Sequence, residues 1–222
     1  MIGRWTWISF FTIATTHAAA ESLCSLYSST AHYMGTAFSI TVCTEKDAKT
    51  ALDAISAALG EIDRVEKKIS DWRDDTETAE VNRAAGVRTV RVGPDLMKIV
   101  AYSRKVSELS HGAFDITVGP LVDVWGFRRA DTKNPPADHA IAEARKLVGY
   151  ADLMADEKGS TIFLKKKGMK IDLGAVGKGY GVDRAGEILV GRGIRNFLVD
   201  GGGNLLAEGR KADGPWRMGQ AA

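Results

Sequence analysis

The sequence predicts an α+β fold in which helices flank a mixed, largely antiparallel sheet. Apolar residues alternate in several short runs, as in half-buried strands, and recur every three or four residues in longer runs, as in amphipathic helices. Near the C-terminus, residues 195–209 have the pattern of two short strands joined around Gly201–Gly203, which favours antiparallel pairing over a parallel crossover. The sequence has no internal repeats or low-complexity linkers, so we expect a single domain.

The composition is that of a globular protein. A chain of 222 residues with 45% hydrophobic residues is long enough to bury one substantial core. The 30 basic residues oppose 28 acidic residues, which leaves a formal net charge of +2, and no dense basic cluster is present. Nucleic acid is therefore not an expected partner.

Residues 1–20 differ from the remainder and predict a signal peptide. A basic residue precedes an uncharged, aromatic-rich run over 5–16, and Ala18 and Ala20 are the small residues of a cleavage site. A membrane anchor is the alternative, but this run is much shorter than the ~20 apolar residues needed to span a bilayer. We therefore expect an exported protein, periplasmic or on the outer face of the cytoplasmic membrane, with its domain over 21–222.

The sequence contains two cysteines, Cys24 and Cys43. Lipid attachment at Cys24 is not expected, because a lipobox has a small residue directly before its cysteine and this chain has Leu23 there. Export permits a disulfide between the two cysteines, and the alternative is a pair of free thiols. The sequence leaves both possibilities open.

The first predicted strand covers 35–43, where Phe38, Ile40 and Val42 alternate and so share one face. A long amphipathic helix is predicted to follow over 44–72. Its apolar residues at helical spacing are Leu52, Ile55, Leu59, Ile62, Val65 and Ile69.

Two helix starts carry recognisable signals. Thr44 and Asp47 form a weakened capping box, since aspartate reaches back less well than glutamate. After a strand predicted over 87–92, Pro94 occupies the position of a first helical residue. The apolar residues of this second helix are Leu96, Ile99, Val100, Val106 and Leu109.

The same signals predict the remaining elements. In chain order these are a polar, proline-bearing loop over 131–139, a short helix through Ile141, Leu147 and Val148, strands over 160–165 and 169–173, and a helix over 178–190.

Residues 172–185, DLGAVGKGYGVDRA, place four glycines between a strand-like run and a helix-like run. A nucleoside-triphosphate P-loop is excluded, because Asp172 stands where its first glycine belongs and Gly179 where its metal-binding hydroxyl belongs. A dinucleotide fingerprint is excluded as well, since Val182 replaces its last glycine. Close backbone approach, a helix N-terminus and the charge of Lys178 still favour an anion site. The alternative is a tight turn whose glycines only relieve crowding.

Residues 111–127, HGAFDITVGPLVDVWGF, form a second distinctive segment. Gly112 is expected to end the preceding helix. Helix termination and core packing account for most of the segment, but not for Asp115 and Asp123 so close to apolar residues. The predicted core residues here are Phe114, Leu121, Val124 and Trp125.

These segments together resemble the ApbE family of FAD:protein FMN transferases, over about Tyr33 to Gly219. The resemblance implies an ApbE-like flavin transferase fold. Four ordered motifs make coincidence improbable, although each is moderate evidence by itself. The matching segments are YMGTAF, ISDWRDDTETAEVNRAAG, HGAFDITVGPLVDVWGF, and DLGAVGKGYGVDRA with FLVDGGGN.

The resemblance also implies a chemistry. FMN would move from FAD to a threonine or serine hydroxyl of a partner flavoprotein, with release of AMP and dependence on Mg²⁺. The implied partner is an acceptor flavoprotein subunit of a membrane redox complex, which would bring the protein close to a membrane.

Position by position, the resemblance implies a flavin-nucleotide site. Trp72 stands where the family usually has tyrosine, which keeps a stacking face but changes the polar group. The backbone carbonyl of Ala175 is the implied Mg²⁺ ligand, and a carbonyl oxygen is a suitable hard donor. The residues implied to contact FAD are Met34, Trp72, Ala113, Phe114, Asp115, Asp172 and Lys178.

Without the resemblance, ordinary structural roles would be preferred for these residues. Met34 and Phe114 would be core residues, and Trp72 a packing aromatic. Asp172 would be a helix cap, and Lys178 a solvated lysine near a helix start.

The family pattern continues beyond Gly219 into a histidine-bearing motif and an Asp/Thr-rich metal loop that this sequence does not contain. We therefore expect a C-terminally truncated domain with no assignable catalytic residue, and weak or absent transfer by this chain. The alternatives are a non-catalytic FAD- or FMN-binding module and an accessory protein of an exported redox complex. The missing segment also predicts open strand edges, and hence low solubility or a homodimer through such an edge.

Overall fold

The computed structural model describes residues 24–127 and 135–219. The predicted signal peptide and part of the predicted 131–139 loop lie outside the described residues. The strands are β1 (Ser25–Tyr33), β2 (Thr36–Thr44), β3 (Val90–Arg91), β4 (Leu153–Asp156), β5 (Thr161–Leu164), β6 (Phe197–Gly201) and β7 (Asn204–Glu208). The helices are α1 (Ala48–Ile69), α2 (Glu77–Arg83), α3 (Pro94–Leu109), α4 (Gly119–Trp125), α5 (Asp138–Arg145) and α6 (Gly177–Gly191).

The strands form two antiparallel sheets. The larger sheet has the order β1-β2-β6-β7 and the smaller one β3-β5-β4, and every strand pair is antiparallel. This confirms the predicted α+β class and the predicted hairpin at Gly201–Gly203. Pairing of two copies through a strand edge stays a prediction, and in the described residues β1 and β7 are the edges of the larger sheet.

Two hydrophobic cores support these sheets. In the first, α1 and α6 cover one face of the larger sheet, where Phe38, Ile40 and Val42 are fully buried as their alternation predicts. In the second, the end of α1 and α3 pack against the smaller sheet and residues 169–173. Met34 packs against both cores, so the β1–β2 turn lies where they meet.

The long first helix is confirmed, but its start and one buried position differ from the prediction. Asp47 is itself the N-cap and accepts a hydrogen bond from the Thr50 backbone N–H at 3.0 Å. Thr44 lies in β2, so the predicted capping box does not form. Leu52 is 46% exposed because it lies on the side of α1 that faces solvent.

Pro94 begins α3 as predicted, but the predicted apolar stripe covers only the first half of the helix. Leu109 is 72% exposed, whereas Ser103 and Ser107 are fully buried. Leu109 follows Ser107 by two residues and therefore lies about 200° around the helix from the buried face.

Four further predictions are wrong in detail. Residues 169–173 form no strand of either sheet, and their one ladder contact is an isolated parallel bridge between Lys170 and Val118. The predicted strand over 87–92 shortens to β3, and α5 ends at Arg145, before Leu147 and Val148. Trp125 is 41% exposed and stacks on Phe127 instead of joining the core, since α4 ends there at the left-handed Gly126.

The two cysteines form a disulfide, Cys24–Cys43, with Cα atoms 5.2 Å apart. This settles the alternative that the sequence leaves open, and it joins the ends of β1 and β2 opposite their turn. Within the described ranges, no helix is both long and apolar enough to cross a membrane.

Candidate functional site

A cleft of about 440 Å³ lies where the two cores meet. The β1–β2 turn, the end of α1 with the turn after it, and the segment that leads into α6 form its three walls. The lining residues are Met34, Gly35, Glu66, Ile69, Ser70, Asp71, Trp72, Leu173, Gly174, Gly177 and Lys178. Three residues implied by the family resemblance, Met34, Trp72 and Lys178, therefore come together from distant parts of the chain.

Met34 occupies the first position of a two-residue hairpin turn between Tyr33 and Thr36, with Gly35 next to it. Its backbone φ is +49°, in the left-handed region that costs a side-chain-bearing residue about 1–2 kcal/mol. Asparagine or glycine would be the ordinary choice at this position. The methionine side chain instead lines the cleft and packs against both cores, which offsets part of the strain.

The glycine-rich segment forms a compact turn before α6. The Asp172 carboxylate accepts a hydrogen bond from the Gly174 N–H at 2.9 Å, and the Leu173 carbonyl accepts from the N–H groups of Val176 and Gly177. Lys178 crosses this turn and donates from Nζ to the Gly174 carbonyl at 3.0 Å. The alternative role of Asp172 as the α6 cap is excluded, because Val176 holds the N-cap position.

This geometry leaves the start of α6 available to an anion. Within the described residues, the backbone N–H groups of Ala175, Lys178 and Gly179 make no hydrogen bond to a backbone carbonyl. These groups lie beside the lysine ammonium at the positive end of the helix dipole. The end of the cleft at Lys178 can therefore hold a negatively charged group.

The opposite wall has a different character. Trp72 lies on the turn after α1 with 64% of its surface exposed, and an indole offers a large planar surface to a ligand ring. Two acidic residues that the sequence analysis did not identify, Glu66 and Asp71, line the cleft beside it. Glu66 lies in the last turn of α1 and Asp71 in the turn after that helix, so the apolar pattern of α1 marks neither residue. Donor groups of a polar ligand can bind at this end.

The segment with Ala113, Phe114 and Asp115 does not line this cleft. Phe114 packs against the second core, and Ala113 is exposed. The Asp115 carboxylate accepts from the N–H and hydroxyl of Thr117, at 2.8 and 2.7 Å, and from the Tyr150 N–H at 2.7 Å. Asp115 therefore fixes the chain that leads into α4, and its predicted contact with FAD stays a prediction. The other acid of this segment, Asp123, pairs with Lys170.

Ala175 faces away from the cleft, towards a neighbouring groove of about 770 Å³ between α3, α6 and the β6–β7 hairpin. Its carbonyl oxygen accepts no hydrogen bond from the described residues and is open to a hard cation. The described part of the chain holds no cluster of three His, Cys, Asp or Glu side chains that could bind a metal. The residue thus fits as a single oxygen ligand.

An ionic network ties the helices behind the cleft. Glu61 accepts from Arg64 and from Arg184, whose Nη2 lies 2.7 Å away, so α1 is joined to α6. Asp95 of α3 accepts from Arg64 at 2.8 Å and from the Tyr180 hydroxyl at 2.6 Å. The network holds α6, and with it the glycine-rich turn, against α1.

The hydrogen bonds and charges of this network shift the pKa values of three of its members. Hydrogen bonds from Arg64 and Arg184 lower the pKa of Glu61 against the opposing effect of burial. Burial acts against ionisation of Asp95, but the hydrogen bonds from Arg64 and Tyr180 outweigh it and lower the pKa of Asp95. Burial and the bond to Asp95 raise the pKa of the Tyr180 phenol, so its proton stays in place.

Comparison with solved structures gives the class of protein, a flavin transferase fold. The structure of the flavin transferase ApbE from Vibrio cholerae matches with a TM-score of 0.78 and 29% identity, and covers 88% of this chain and 63% of that chain. The apo form of the Pseudomonas stutzeri flavinyl transferase ApbE matches with a TM-score of 0.77 and 28% identity, again over 88% and 63%.

Sequence comparison gives the family. The ApbE family profile matches residues 34–221, and the chain belongs to the ApbE family. An FAD:protein FMN transferase from Klebsiella pneumoniae is 32% identical over 98% of this chain and 63% of its own length. Another from Vibrio cholerae is 30% identical over 83% of this chain and 55% of its own length. The chain thus spans 55–63% of the length of these two relatives.

Proposed function

We propose that the cleft binds FAD and that this chain forms the flavin-binding part of an FAD:protein FMN transferase. The observation that carries the proposal is the meeting of Met34, Trp72 and Lys178 in one cleft of a chain that belongs to the ApbE family. The neighbouring groove of about 770 Å³ is lined by one of the implied residues, Ala175.

The lining suggests how FAD would lie. The Lys178 ammonium and the free N–H groups at the start of α6 would face the pyrophosphate, since both favour negative charge. The exposed indole of Trp72 would stack on a planar ring, and Met34 would supply an apolar contact between the walls. Glu66 and Asp71 would accept from hydroxyl or amine groups of the nucleotide.

The proposed reaction moves FMN to a threonine or serine hydroxyl of an acceptor flavoprotein and releases AMP. Mg²⁺ would neutralise charge on the transferring phosphoryl group. In this chain, the Ala175 carbonyl would contribute one ligand to that ion. Ala175 lines the neighbouring groove and not the cleft itself. The Lys178 ammonium, which is held on the same turn, would contribute positive charge toward the pyrophosphate.

We also propose export and an acceptor that belongs to a membrane redox complex. The Cys24–Cys43 disulfide supports export, because disulfides persist mainly in oxidising compartments outside the cytosol. The predicted signal peptide over 1–20 agrees with the same location.

One experiment tests the proposal directly. The purified chain is titrated with FAD, and then incubated with FAD, Mg²⁺ and an acceptor peptide containing threonine, with mass spectrometry to detect added FMN. Saturable FAD binding would support the proposal that this chain is the flavin-binding part, with or without transfer. Mg²⁺-dependent FMN transfer would show in addition that this chain catalyses the reaction, and absence of FAD binding would refute the proposal.

A further inference from the structure

The short helix α2 lies behind both principal walls of the cleft and bonds to the backbone of each. On one side, the Thr78 hydroxyl donates to the Ile69 carbonyl at 2.8 Å, and the Thr76 hydroxyl donates to the Ser70 carbonyl at 2.7 Å. Both threonines are buried, with exposed fractions of 0% and 4%. These carbonyls belong to the end of α1, where helical carbonyls have no partner within the helix. The turn that carries Trp72 begins there.

On the other side, Asn82 holds the segment that leads into the glycine-rich turn. Its side-chain amide accepts from the Ile171 N–H at 2.8 Å and donates to the Ile171 carbonyl at 3.0 Å. A neighbouring strand would normally make this pair of bonds. Asp172, which shapes the turn through the Gly174 N–H, comes directly after Ile171.

The two sets of bonds act through one rigid unit. Thr78 and Asn82 are four residues apart, so their side chains lie on one face of α2. Glu77 fixes the same helix to the start of α3, because its carboxylate accepts from the Gly93 N–H at 2.7 Å. A movement of either wall must therefore strain the bonds to the other.

The walls also touch at the floor of the cleft. A Cβ atom at Gly177 would lie 3.7 Å from Cδ1 of Ile69, so the start of α6 packs directly on the end of α1. Small displacements at this contact change the distance between the indole of Trp72 and the ammonium of Lys178, which line the opposite walls. A ligand that touches both groups requires that distance to be fixed.

We infer that α2 is a brace that sets the width of the cleft, and that Thr78 and Asn82 are positioning residues for the nucleotide. The inference rests on the proposed function, since it assigns them an effect on FAD. Neither side chain lines the cleft, so each acts through the backbone that it holds.

The test compares Thr78→Val, Asn82→Leu and the double variant with the unchanged chain. A matched control is Ser107→Ala, which removes another buried hydroxyl bond, to the Ser103 carbonyl at 3.0 Å, within α3. FAD affinity and the melting temperature Tm are measured for each. We expect each brace variant to weaken FAD binding about five-fold, the size of one lost neutral hydrogen bond, and Ser107→Ala to lower Tm without this loss. Thr78→Ser keeps the hydroxyl and should restore affinity.

Amide hydrogen exchange separates the brace from the ligand question. If α2 links the two walls, Thr78→Val should speed exchange in the glycine-rich turn over 172–179, and Asn82→Leu should speed it over 70–73. In each case the faster exchange is on the wall that the substituted residue does not touch. In the double variant the affinity loss should be smaller than the product of the single losses, because either change releases the unit.

The outcomes are distinguishable. Unchanged FAD affinity with a reduced Tm, as in the control, would overturn the brace and leave the proposed function intact. If the unchanged chain does not bind FAD, the proposed function fails, and exchange then decides the brace separately. Changes confined to the wall next to each substitution would overturn it.

Discussion

Lys178 is the one cation among the described residues that line the cleft, and it shares that lining with Glu66 and Asp71. Its ammonium is held by the Gly174 carbonyl, a neutral acceptor, and it forms no ion pair with any residue that the structure describes. An anionic group of the ligand would meet this charge at the start of α6, away from the acidic wall. The charges along the cleft therefore favour one orientation of a ligand, with its anionic group at Lys178.

The Lys178→Ala variant should bind FAD about ten-fold more weakly at low salt, because it removes a charge-assisted contact to the pyrophosphate. The difference should shrink as salt rises, since screening weakens the charge interaction in the unchanged chain. Titrations at two ionic strengths measure this. Lys67→Ala, which removes an exposed lysine of α1 outside the cleft, serves as the control. Equal affinity of the Lys178 variant and the unchanged chain at low salt would remove Lys178 from the site.

Asp172 provides a second test at the same scale, because its hydrogen bond and its charge can be separated. Asp172→Asn keeps the acceptor for the Gly174 N–H and removes a negative charge near the proposed pyrophosphate. We expect it to bind FAD at least as tightly as the unchanged chain. Asp172→Ala removes the hydrogen bond that holds the glycine-rich turn and should bind FAD several-fold more weakly. Calorimetric titration of both variants measures this. A lower Tm for Asp172→Ala with unchanged affinity would assign the residue to stability only.

At the scale of elements, α1, α3 and α6 depend on the network of Glu61, Arg64, Asp95, Tyr180 and Arg184. The two carboxylates have little exposed surface, the Glu61 side chain being 10% and the Asp95 side chain 15% exposed, whereas their partner Arg64 is 43% exposed. Both carboxyl groups have a lowered pKa in the folded chain, so their ionised forms are stabilised there. Folding is therefore linked to pH through these helices.

The sign of this linkage gives a prediction. The stabilisation is complete above the ordinary carboxyl pKa values, 4.5 for Glu61 and 3.8 for Asp95, and is lost as pH falls through the lower folded-state values. Tm should therefore fall steeply below about pH 4. Glu61→Gln should lower the free energy of unfolding by about 2 kcal/mol at pH 7, which is roughly 6 °C in Tm. It should also make the fall of Tm at acidic pH less steep. Thermal melts between pH 3 and pH 7 check this.

A matched variant on the same helix controls the measurement. Asp53→Asn breaks the exposed pair with Lys49, whose side chains are 58% and 84% exposed respectively, and should change Tm little at any pH. If Tm fell equally steeply at acidic pH in Glu61→Gln and Asp53→Asn, the network would not be a particular source of the pH dependence.

The elements also show what the sequence could and could not predict. The alternating residues of β2 and the apolar face of α1 were sufficient to predict these two elements, because each buries a continuous row of apolar side chains. β1 has no fully buried residue, and although its half-buried positions alternate, Ser29 interrupts the apolar series of Tyr27, Ala31 and Tyr33, so the sequence pattern is weak. Met169, Ile171 and Leu173 are buried as their alternation indicates, but the bonds of Ile171 go to a side chain of α2 and not to a strand. Alternation reports burial and does not identify the hydrogen-bond partner.

The candidate site was predictable to a similar extent. The family resemblance identified Met34, Trp72 and Lys178, which the fold brings together. It could not identify Glu66 or Asn82, because their roles depend on how the end of α1 and the helix α2 pack in space. Contacts between segments that are far apart in sequence leave no local pattern.

For the whole molecule, the cleft exists because two cores meet at one turn. Met34 touches both cores, and the walls on either side belong to the end of α1 and the start of α6, which extend from one core to the other. The position of the β1–β2 hairpin therefore matters for the site, although most of β1 is exposed at the edge of the sheet. This edge strand is held by its pairing with β2 and by the Cys24–Cys43 disulfide at the end opposite the turn.

The Cys24–Cys43 disulfide should accordingly contribute measurably to the stability of the whole chain. The cysteines are 19 residues apart, and closing a loop of that length in the unfolded chain is worth about 3 kcal/mol in the chain-entropy account. We expect reduction, or Cys24→Ser with Cys43→Ala, to lower Tm by roughly 10 °C. Scanning calorimetry with and without a thiol reductant measures this, and the cysteine-free variant, which should not respond to reductant, is the control. An equal Tm for the oxidised and reduced chain would show that β1 is held by strand pairing and packing alone.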